Sequence, residues 1–259
     1  MIILTYNILN PCHAIKHQAV QGIHKDATGK MVSNWDLRKN KLVKNISASN
    51  CDVACLQEVS PTTLKPFQEQ FKLSSYFEHS NNNASSAYGN CILTCSNLKI
   101  LESGTFKTSE TQFRTAAYTK IKEISSGLVY MIISVHLRGY DRHETDPEIK
   151  LRIKEDGYKE LKNYLSQIET KQADVYVIAG DFNEHTSEFD LPKSRHQLLL
   201  DAGYFFDKDI SPTEHGTNRV IDWIFVKTKE TVKIKRIKCT YPHIEASDHF
   251  PYVIEIKAP

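Results

Sequence analysis

The sequence lacks an excess of charge of either sign. Its 259 residues carry 33 lysines and arginines against 31 aspartates and glutamates, which leaves a formal net charge of +2 with histidine neutral. So small a charge creates no global field that would attract a polyanion, and any preference for nucleic acid has to come from local patches. We interpret the one lysine-rich run, at 227–238, as the solvated face of a strand.

Long apolar segments are also missing. No run reaches the roughly 18 apolar residues that a membrane-spanning helix requires. The amino-terminal segment MIILTYNILN has no basic region before its short apolar run and no small-residue cleavage site. It is therefore predicted to be a first strand and not a secretion signal. We expect a cytoplasmic or otherwise intracellular protein with no stable membrane insertion.

Cysteine is scarce and shows no disulfide pattern. The six cysteines lack the dense spacing of small secreted domains, which favours a reducing compartment. Two pairs, CDVAC at 51–55 and CILTC at 91–95, could hold zinc if four thiols faced one another from neighbouring strands. Buried apolar thiols are the preferred interpretation, because zinc knuckles usually place their cysteines in a turn.

What is present is the composition of an ordinary folded protein, with 40% hydrophobic and 25% charged residues. No linker or repeat divides the chain, so residues 1–259 are predicted to form a single domain. β-Branched and aromatic residues predict strands at Ile2–Ile8, Val53–Gln57, Asn90–Thr94, Ala116–Lys122, Val129–His136, Val175–Ala179, Val220–Val226, Val232–Cys239 and Tyr252–Ile256. Apolar spacing predicts helices at Trp35–Ser49, Ile149–Ile168 and Lys193–Ala202. The polar segment 11–34 is expected to be a surface loop beside the end of the first strand.

Several predicted strands end in polar side chains that a packed core does not need. They are Asn7, Glu58, His136, Asp181 with Asn183, Asp222, and the segment Ser247, Asp248 and His249. Taken singly, each has an ordinary structural explanation as a strand-end charge, a turn residue or a hydrogen-bonded histidine. The ends of neighbouring strands converge on one rim of a sheet. Together these side chains therefore predict one active site.

Part of this set suits a divalent cation. Glu58, Asp248 and the amide of Asn7 offer oxygen ligands, which hard cations prefer. Mg²⁺ is the expected cofactor, with Mn²⁺ as an alternative, because Mg²⁺ is typically held by one or two carboxylates together with substrate phosphate. A cation at this rim would neutralise charge on a phosphate.

The remaining side chains suit hydrolysis. Asp181 could orient or deprotonate an attacking water, and Asn183 could donate to phosphoryl oxygens as their charge grows. His136 and His249 could donate to the same oxygens, with Asp222 fixing the tautomer and orientation of one imidazole.

The ordered strings TYNIL, CLQEV, SVHL, GDFN, VIDWIF and SDHFP resemble the endonuclease/exonuclease/phosphatase superfamily. Its members include deoxyribonuclease I-like nucleases, repair nucleases, deadenylases, inositol polyphosphate phosphatases and neutral sphingomyelinases. The resemblance runs from Asn7 to His249, and GDFN and SDHFP together are its most specific strings. It implies an α/β (α+β) fold in which two packed mixed β-sheets are flanked by helices, a four-layer α/β/β/α sandwich with one active site at a rim.

The resemblance also implies residue roles. The implied metal residues are Asn7, Glu58 and Asp248, and the implied catalytic residues are His136, Asp181, Asn183, Asp222 and His249. In this family pattern Asp181 acts on the nucleophilic water and Asp222 pairs with His249. Arg114 and Asn90, in the family-like strings FRTAAYTKI and YGNCIL, are the candidate substrate-binding residues. A surface strand charge and a structural amide are the alternatives for these two.

Departures from the individual branches bear on the substrate. GDFNEH and NRVIDWIF lack the arginine and the P-x-W-x-D-R-I string of inositol phosphatases, and YNILN and VHL depart from the repair nucleases. The helix with Trp35 and Arg38 resembles the one that precedes the QE motif in deadenylases, although a docked tryptophan has a purely structural explanation.

The leading hypothesis is a metal-dependent phosphodiesterase acting on nucleic acid, DNA or RNA. A phosphomonoesterase or lipid phosphodiesterase is the alternative enzyme, and the lipid version would need an apolar rim from Phe205, Phe206 or Tyr140. A catalytically inactive binding module of the same fold is the alternative from another class. A monomer is expected, with the oligomeric state left open.

Overall fold

The computed structural model describes residues 1–11, 35–76, 88–107, 115–139, 144–207, 211–215, 217, 219–229, 232–238, 241–243 and 246–257. Nearly all of the segment predicted as a surface loop at 11–34 lies outside these ranges. Arg114, predicted to bind substrate, and Tyr140, considered for a lipid-facing rim, also lie outside the described residues.

Strands make up most of the regular structure. They are β1 (Ile2–Asn7), β2 (Val53–Val59), β3 (Lys72–Tyr76), β4 (Gly89–Thr94), β5 (Leu98–Lys107), β6 (Thr115–Glu123), β7 (Val129–His136), β8 (Val175–Asp181), β9 (Asp222–Thr228), β10 (Lys233–Arg236) and β11 (Tyr252–Lys257). The helices are α1 (Trp35–Ala48), α2 (Pro61–Gln68), α3 (Pro147–Ile168) and α4 (Arg195–Asp201). α1, α3 and α4 match the predicted helices, with their ends shifted by at most two residues.

The strands form two mixed sheets. The first has six strands in the order β10, β11, β1, β2, β4, β3, and the second has five in the order β5, β6, β7, β8, β9. Each sheet contains one parallel pair, β1 with β2 and β7 with β8. Parallel strands finish at the same rim, so Asn7 ends beside Gln57 and His136 ends beside Asp181. The sheet topology thus gathers the polar strand ends.

Apolar clusters show how the layers stack. The inner cluster joins Ile3 and Val53 of the first sheet to Ile132 and Val177 of the second, so the two sheets pack face to face. Helices α1 and α2 cover the outer face of the first sheet. Helices α3 and α4 cover the outer face of the second sheet. The predicted four-layer α/β/β/α sandwich is confirmed.

Two strands and one α-helix of the described segments were not predicted, and β9 begins two residues later than expected. β3 and β5 are partly polar strands, and α2 is an eight-residue helix that contains Pro66. Its start carries a clear signal, a capping box at Ser60 followed by Pro61. β9 begins at Asp222 instead of Val220, because the backbone N–H of Ile221 donates to Thr213 Oγ1 at 3.0 Å.

The thiols on β2 and β4 do not gather into a metal site. Cys51 and Cys91 pack in the outer cluster of the first sheet, whereas Cys55 faces the inner cluster. Burial raises the pKa of Cys51 to about 12, as expected for a thiol that serves as a small apolar side chain. Cys51, Cys55, Cys91 and Cys95 are free. None of the helices in the described segments is long and apolar enough to cross a membrane.

Candidate active site

One carboxylate oxygen is the meeting point of three predicted site residues. Asn7 Nδ2 donates to Asp181 Oδ2 at 3.1 Å. Nε2 of His136 lies 3.6 Å from the same oxygen, and Nε2 of His249 lies 3.9 Å from it. Asp181 is only 2% exposed. Three strand ends and the segment before β11, all far apart in sequence, therefore place an acid, an amide and two imidazoles around one small volume.

The GDFN turn fixes the orientation of Asp181. A Cβ at Gly180 would lie 1.9 Å from the carbonyl oxygen of Val135, so only glycine fits before Asp181. After it, Asn183 has a positive φ of 51°, and its backbone N–H donates to Asp181 Oδ1 at 2.8 Å. Oδ1 is thus held by the turn, while Oδ2 faces the two imidazoles.

The side chain of Asn183 is anchored to the neighbouring loop. Its Nδ2 donates to the carbonyl oxygen of Leu137 at 3.0 Å. A Cβ at Gly139 would lie 2.3 Å from Asn183 Oδ1, so the loop after β7 approaches the amide closely. One of the two Nδ2 hydrogens is therefore committed to the protein, and one is left to donate to a phosphoryl oxygen.

Burial dominates the electrostatics of Asp181. Burial and the carboxylate of Asp222 raise the pKa of Asp181 to about 7, against the opposing effects of His249 and of hydrogen bonds from Asn183 and Asn7. A general base works best when its pKa lies near the working pH. A divalent cation nearby would lower this pKa again, because it favours the charged carboxylate.

His249 and Asp222 form a buried pair, as the sequence predicted. His249 Nδ1 lies 2.7 Å from Asp222 Oδ2. Asp222 is completely buried, and its backbone N–H donates to Thr213 Oγ1 at 3.1 Å. Burial disfavours the charged imidazole, but the carboxylates of Asp222, Asp248 and Asp181 outweigh it and raise the pKa of His249 well above its ordinary value. In its protonated form, the ring would present Nε2–H toward Asp181 Oδ2, which lies 3.9 Å away.

Glu58, one of the predicted metal residues, has a left-handed backbone conformation, with φ 62°. We call the part of the site that carries Glu58 and Asp248 its oxygen-rich side. Glu58 Oε1 accepts a hydrogen bond from Asn7 Nδ2 at 3.2 Å, and Glu58 Oε2 accepts one from the backbone N–H of Asn10 at 2.8 Å. Asn7 Oδ1 accepts the N–H of Leu9, which also has a positive φ of 53°. Asn7 thus orients the carboxylates of both Glu58 and Asp181.

Asp248 is connected to the same region through Ser247 and Arg38. Ser247 Oγ donates to the carbonyl oxygen of Asn7 at 2.7 Å, which docks the SDH segment on the end of β1. Arg38 Nε donates to the carbonyl oxygen of Ala246 at 2.8 Å. Burial lowers the pKa of the Arg38 guanidinium, while the charge of Asp248 raises it. The helix α1 therefore supplies a buried cation beneath the acidic side of the site.

One group of side chains among the described residues could hold a cation. Asp181, Asp222 and His249 each present a ligand atom, and these atoms lie within 4.8 Å of one another. A cation there would compete with the proton of the His249 imidazolium and with its hydrogen bond to Asp222. The sequence predicts a different position, at Glu58 and Asp248, where no imidazole would have to lose a proton.

Asn90, one of the two predicted substrate-binding residues, is a buried residue of β4 and is 4% exposed. It stands opposite the irregular part of β2 between Leu56 and Val59, the stretch that contains Glu58. The structure thus places Asn90 next to the strand end that carries Glu58. Arg114 falls outside the described residues.

Sequence reasoning missed several residues that support the site. Gln57 Nε2 donates to Ser134 Oγ at 3.2 Å and so joins the two sheets just below the rim. Thr213 orients Asp222. Gln57 stands in the quoted string CLQEV, next to Glu58, so its position could have been noticed. Thr213 lies nine residues before Asp222, and no local pattern reveals that they meet.

Glu184, the residue after GDFN, forms a buried pair with His196 that the sequence did not predict. His196 Nδ1 lies 2.6 Å from Glu184 Oε2, and neither side chain is more than 4% exposed. Phe189 stacks on His196 with ring centroids 3.7 Å apart. Burial raises the pKa of Glu184, but hydrogen bonds from His196 and the backbone outweigh it, and the net shift is downward. Burial lowers the pKa of His196 by more than Glu184 raises it.

This pair predicts loss of stability in acid. His196 stays neutral in the folded chain but binds a proton in the unfolded chain below about pH 6.5, so the free energy of unfolding falls as the pH drops through that value. Below about pH 4.3 Glu184 adds to the loss, because its folded pKa lies under its unfolded pKa. Urea unfolding at about pH 7.5 and about pH 5.5 measures the first effect. The decrease should be smaller in His196→Phe, and an equal decrease in both proteins would contradict the prediction.

Acid, amide and imidazole groups converge at one rim of a two-sheet sandwich, an arrangement that suits hydrolysis of a phosphate ester. The chain belongs to the Endonuclease/Exonuclease/phosphatase family, whose sequence profile matches residues 4–249. The predicted family membership is confirmed. No curated protein sequence matches the chain.

Solved structures share the fold at low sequence identity. The human nocturnin catalytic domain with bound sulfate has a TM-score of 0.70 and 17% identity, with 100% of this chain and 93% of that one covered. A mannosyl-6-phosphatase from Bacteroides thetaiotaomicron has a TM-score of 0.69 and 15% identity, with 99% of each chain covered. ANGEL2, a 2′,3′-cyclic phosphatase, has a TM-score of 0.68 and 15% identity, with 98% and 94% covered. At these identities the likeness establishes the fold and leaves the substrate open.

Proposed function

We propose that this chain is a Mg²⁺-dependent phosphodiesterase that hydrolyses nucleic acid at the site centred on Asp181. The observation that carries the proposal is the position of Asp181 Oδ2, which faces Nε2 of His136 and of His249 at 3.6 and 3.9 Å while Asn7 holds it at 3.1 Å. A carboxylate so placed can take a proton from water while the imidazoles face the charge that develops on phosphate.

The charge balance of the rim fits a cation. Its carboxylates are Glu58, Asp181, Asp222 and Asp248, and its buried cationic groups are Arg38 and His249. The carboxylates exceed the cations, and their oxygens are the ligands that Mg²⁺ prefers. Glu58 and Asp248 would hold the ion, with Asn7 orienting Glu58. Mn²⁺ would fit the same oxygen ligands. When bound, the ion neutralises charge on the phosphate and acts as a Lewis acid toward it.

The protein groups divide the remaining work. Asp181 orients the attacking water and accepts its proton. The His249 imidazolium, held by Asp222, donates from Nε2 to a phosphoryl oxygen. His136 donates to the same group from the neighbouring strand, and Asn183 adds its second amide hydrogen. Each donor is fixed before substrate arrives, which favours stabilisation of the transition state.

Nucleic acid is the proposed substrate because of the motifs around the site. SVHL, GDFN and SDHFP occur together, and α1 with Trp35 and Arg38 resembles the helix of the deadenylase branch. Arg38 supports the oxygen-rich side of the site through its contact with Ala246. Asn90, which lies beside the end of β2 that carries Glu58, is proposed to help bind the substrate at this rim. Arg114 is proposed to contact phosphate.

A substrate panel tests the proposal. Hydrolysis would be followed with Mg²⁺ on single-stranded RNA, single-stranded DNA, duplex DNA, a sugar phosphate and sphingomyelin liposomes, with Asp181→Asn as the background control. We expect cleavage of at least one oligonucleotide above that background. Hydrolysis of the sugar phosphate alone would replace the proposal with a phosphomonoesterase. Absence of all hydrolysis would favour a catalytically inactive binding module.

A phosphomonoesterase is the second candidate, since the same site chemistry serves a terminal phosphate and one protein of the same fold is a mannosyl-6-phosphatase. The lipid version is weaker. Phe206 packs against Trp223 and Phe225, with ring centroids 5.3 and 5.2 Å apart. Phe205 packs against the inner cluster between the sheets, so these two side chains pack into the fold and do not form an apolar rim. Lack of binding to liposomes would exclude it.

The organisation of the chain is part of the proposal. A single domain over residues 1–259 is supported by the inner cluster that both sheets share. A reducing, intracellular environment is supported by the free thiols of the described segments. A monomer is proposed, and light scattering of the purified chain would test it.

A further inference from the structure

Arg195 is a buried cation that the proposed chemistry does not use. It is the first residue of α4 and is 2% exposed. Its Nη1 donates to the carbonyl oxygen of Phe182, and its Nη2 donates to the carbonyl oxygen of Arg138 at 2.8 Å. Burying a charged side chain is costly unless its hydrogen bonds are made. These two acceptors belong to the two loops that follow β8 and β7.

Those two loops meet at Asn183, which the proposed function assigns to the phosphate. Phe182 lies between Asp181 and Asn183, so its carbonyl group is part of the GDFN turn. On the other loop, Leu137 accepts a hydrogen bond from Asn183 Nδ2 at 3.0 Å. The guanidinium and the Asn183 amide therefore connect the same two segments, the loop after β7 and the GDFN turn.

A glycine in the middle of α3 makes room for this guanidinium. A Cβ at Gly157 would lie 2.2 Å from Arg195 Nη2. Glycine inside a helix is destabilising by about 1 kcal/mol relative to alanine, so its presence needs a structural reason. Close approach of Arg195 supplies that reason, and the Ile153 carbonyl oxygen of the same helix accepts from Nη2 at 3.5 Å.

Glu184 fixes the start of α4, and with it the position of Arg195. Glu184 Oε1 accepts the backbone N–H of Arg195 at 3.1 Å, and Oε2 accepts that of His196 at 2.9 Å. Trp223 Nε1 donates to the carbonyl oxygen of Glu184 at 3.1 Å. Glu184, directly after GDFN, therefore fixes the start of α4. Arg195 at that start in turn contacts the GDFN turn through the Phe182 carbonyl oxygen.

We propose that Arg195 is a positioning residue for phosphoester hydrolysis, which sets the separation of the β7 and β8 loops so that Asp181 and Asn183 meet the phosphate together. The inference rests on the proposed function. The planar fork of the guanidinium serves the two carbonyl oxygens from two different nitrogens, whereas lysine has to donate from one nitrogen. Arg195 acts on turnover and leaves cation binding unchanged, since Glu58 and Asp248 lie on other segments.

Steady-state kinetics of Arg195→Lys test this role, with a fluorescent single-stranded RNA and bis(p-nitrophenyl) phosphate as substrates and Mg²⁺ saturating. We expect kcat to fall by about 10- to 100-fold, because small misplacements of catalytic groups cost that much. KM and the Mg²⁺ dissociation constant, measured by calorimetry, should stay within about twofold of the parental values. Gly157→Ala, which pushes on the guanidinium, should lower kcat in the same way.

Two controls separate positioning from stability. Leu199→Ala removes a buried apolar side chain of the same helix and should lower Tm while kcat stays parental at a temperature where the protein is folded. Arg152→Met changes an exposed arginine on α3 and should change neither quantity. Parental kcat in folded Arg195→Lys and in Gly157→Ala would overturn the inference. Absence of parental hydrolysis on both substrates would instead overturn the proposed function.

Discussion

Asp181→Asn is expected to lower the rate of hydrolysis by about 10³-fold while the fold is retained, since a positioned general base typically contributes within one order of magnitude of that factor. Asparagine keeps the size of the side chain, and its Oδ1 can still accept the backbone N–H of Asn183 that now lies 2.8 Å from the Asp181 carboxylate. It cannot accept a proton from water. Initial rates on the best substrate of the panel, together with the thermal midpoint, measure both parts.

The matched control for this variant is Asp201→Asn, which makes the same chemical change at an exposed position of α4. It should keep the parental rate. Parental activity in Asp181→Asn, with the protein folded, would remove Asp181 from the chemistry and with it the proposed centre of the site.

Glu58→Gln is expected to weaken Mg²⁺ binding by about 100-fold, because it removes a carboxylate ligand whose orientation is fixed by Asn7 and Asn10. Glutamine keeps the size of the side chain and one oxygen that can accept one of these two hydrogen bonds, so the fold should persist. Calorimetric titration with Mg²⁺ gives the dissociation constant directly. Activity should return in part at high Mg²⁺ concentration.

The control for the second variant is Glu69→Gln, at an exposed position just after α2. It should bind Mg²⁺ as the parental protein does. The titration also separates the two cation positions. Parental affinity in Glu58→Gln, combined with loss of binding in Asp222→Asn, would place the cation at Asp181, Asp222 and His249.

The fold was predictable because its evidence is local. The strand Val129–His136 was predicted with its observed bounds, since the run VYMIISVH is rich in β-branched and aromatic residues. The helix α3 was predicted from apolar spacing, and its observed start at Pro147 follows Asp146, which caps it. β5 was missed because half of it faces outward and reads as polar.

The site was predictable in its members but not in its contacts. Asp181, His136 and Asn7 were predicted from their positions as polar residues at the ends of apolar strands. The ordered family strings supported the same set. Nothing local indicates that Arg195, in a short helix after GDFN, donates to the carbonyl oxygens of Phe182 and Arg138. Contacts of that kind depend on how helices dock, which a sequence pattern does not encode.

Strained backbone marks the same region. Leu9, Glu58 and Asn183 all have positive φ values, of 53°, 62° and 51°. Such conformations cost about 1 to 3 kcal/mol each and persist only where the surrounding structure enforces them. Each of these three residues places a hydrogen bond on Asn7, Glu58 or Asp181, or carries one of those side chains. Asn50 and Lys193 are the other non-glycine residues of the described segments with positive φ, so three of these five lie beside the proposed chemistry.

The most direct measurement of the central claim is the initial rate of hydrolysis as a function of free Mg²⁺, from excess EDTA to saturation. It would be made on the best substrate of the panel with the parental protein and with Asp181→Asn. We expect no parental activity in EDTA, a saturable rise with Mg²⁺, and a rate in Asp181→Asn that stays near background at every concentration. Parental hydrolysis that persists in EDTA, or that survives the loss of Asp181, would contradict a metal-dependent phosphoesterase centred on this carboxylate.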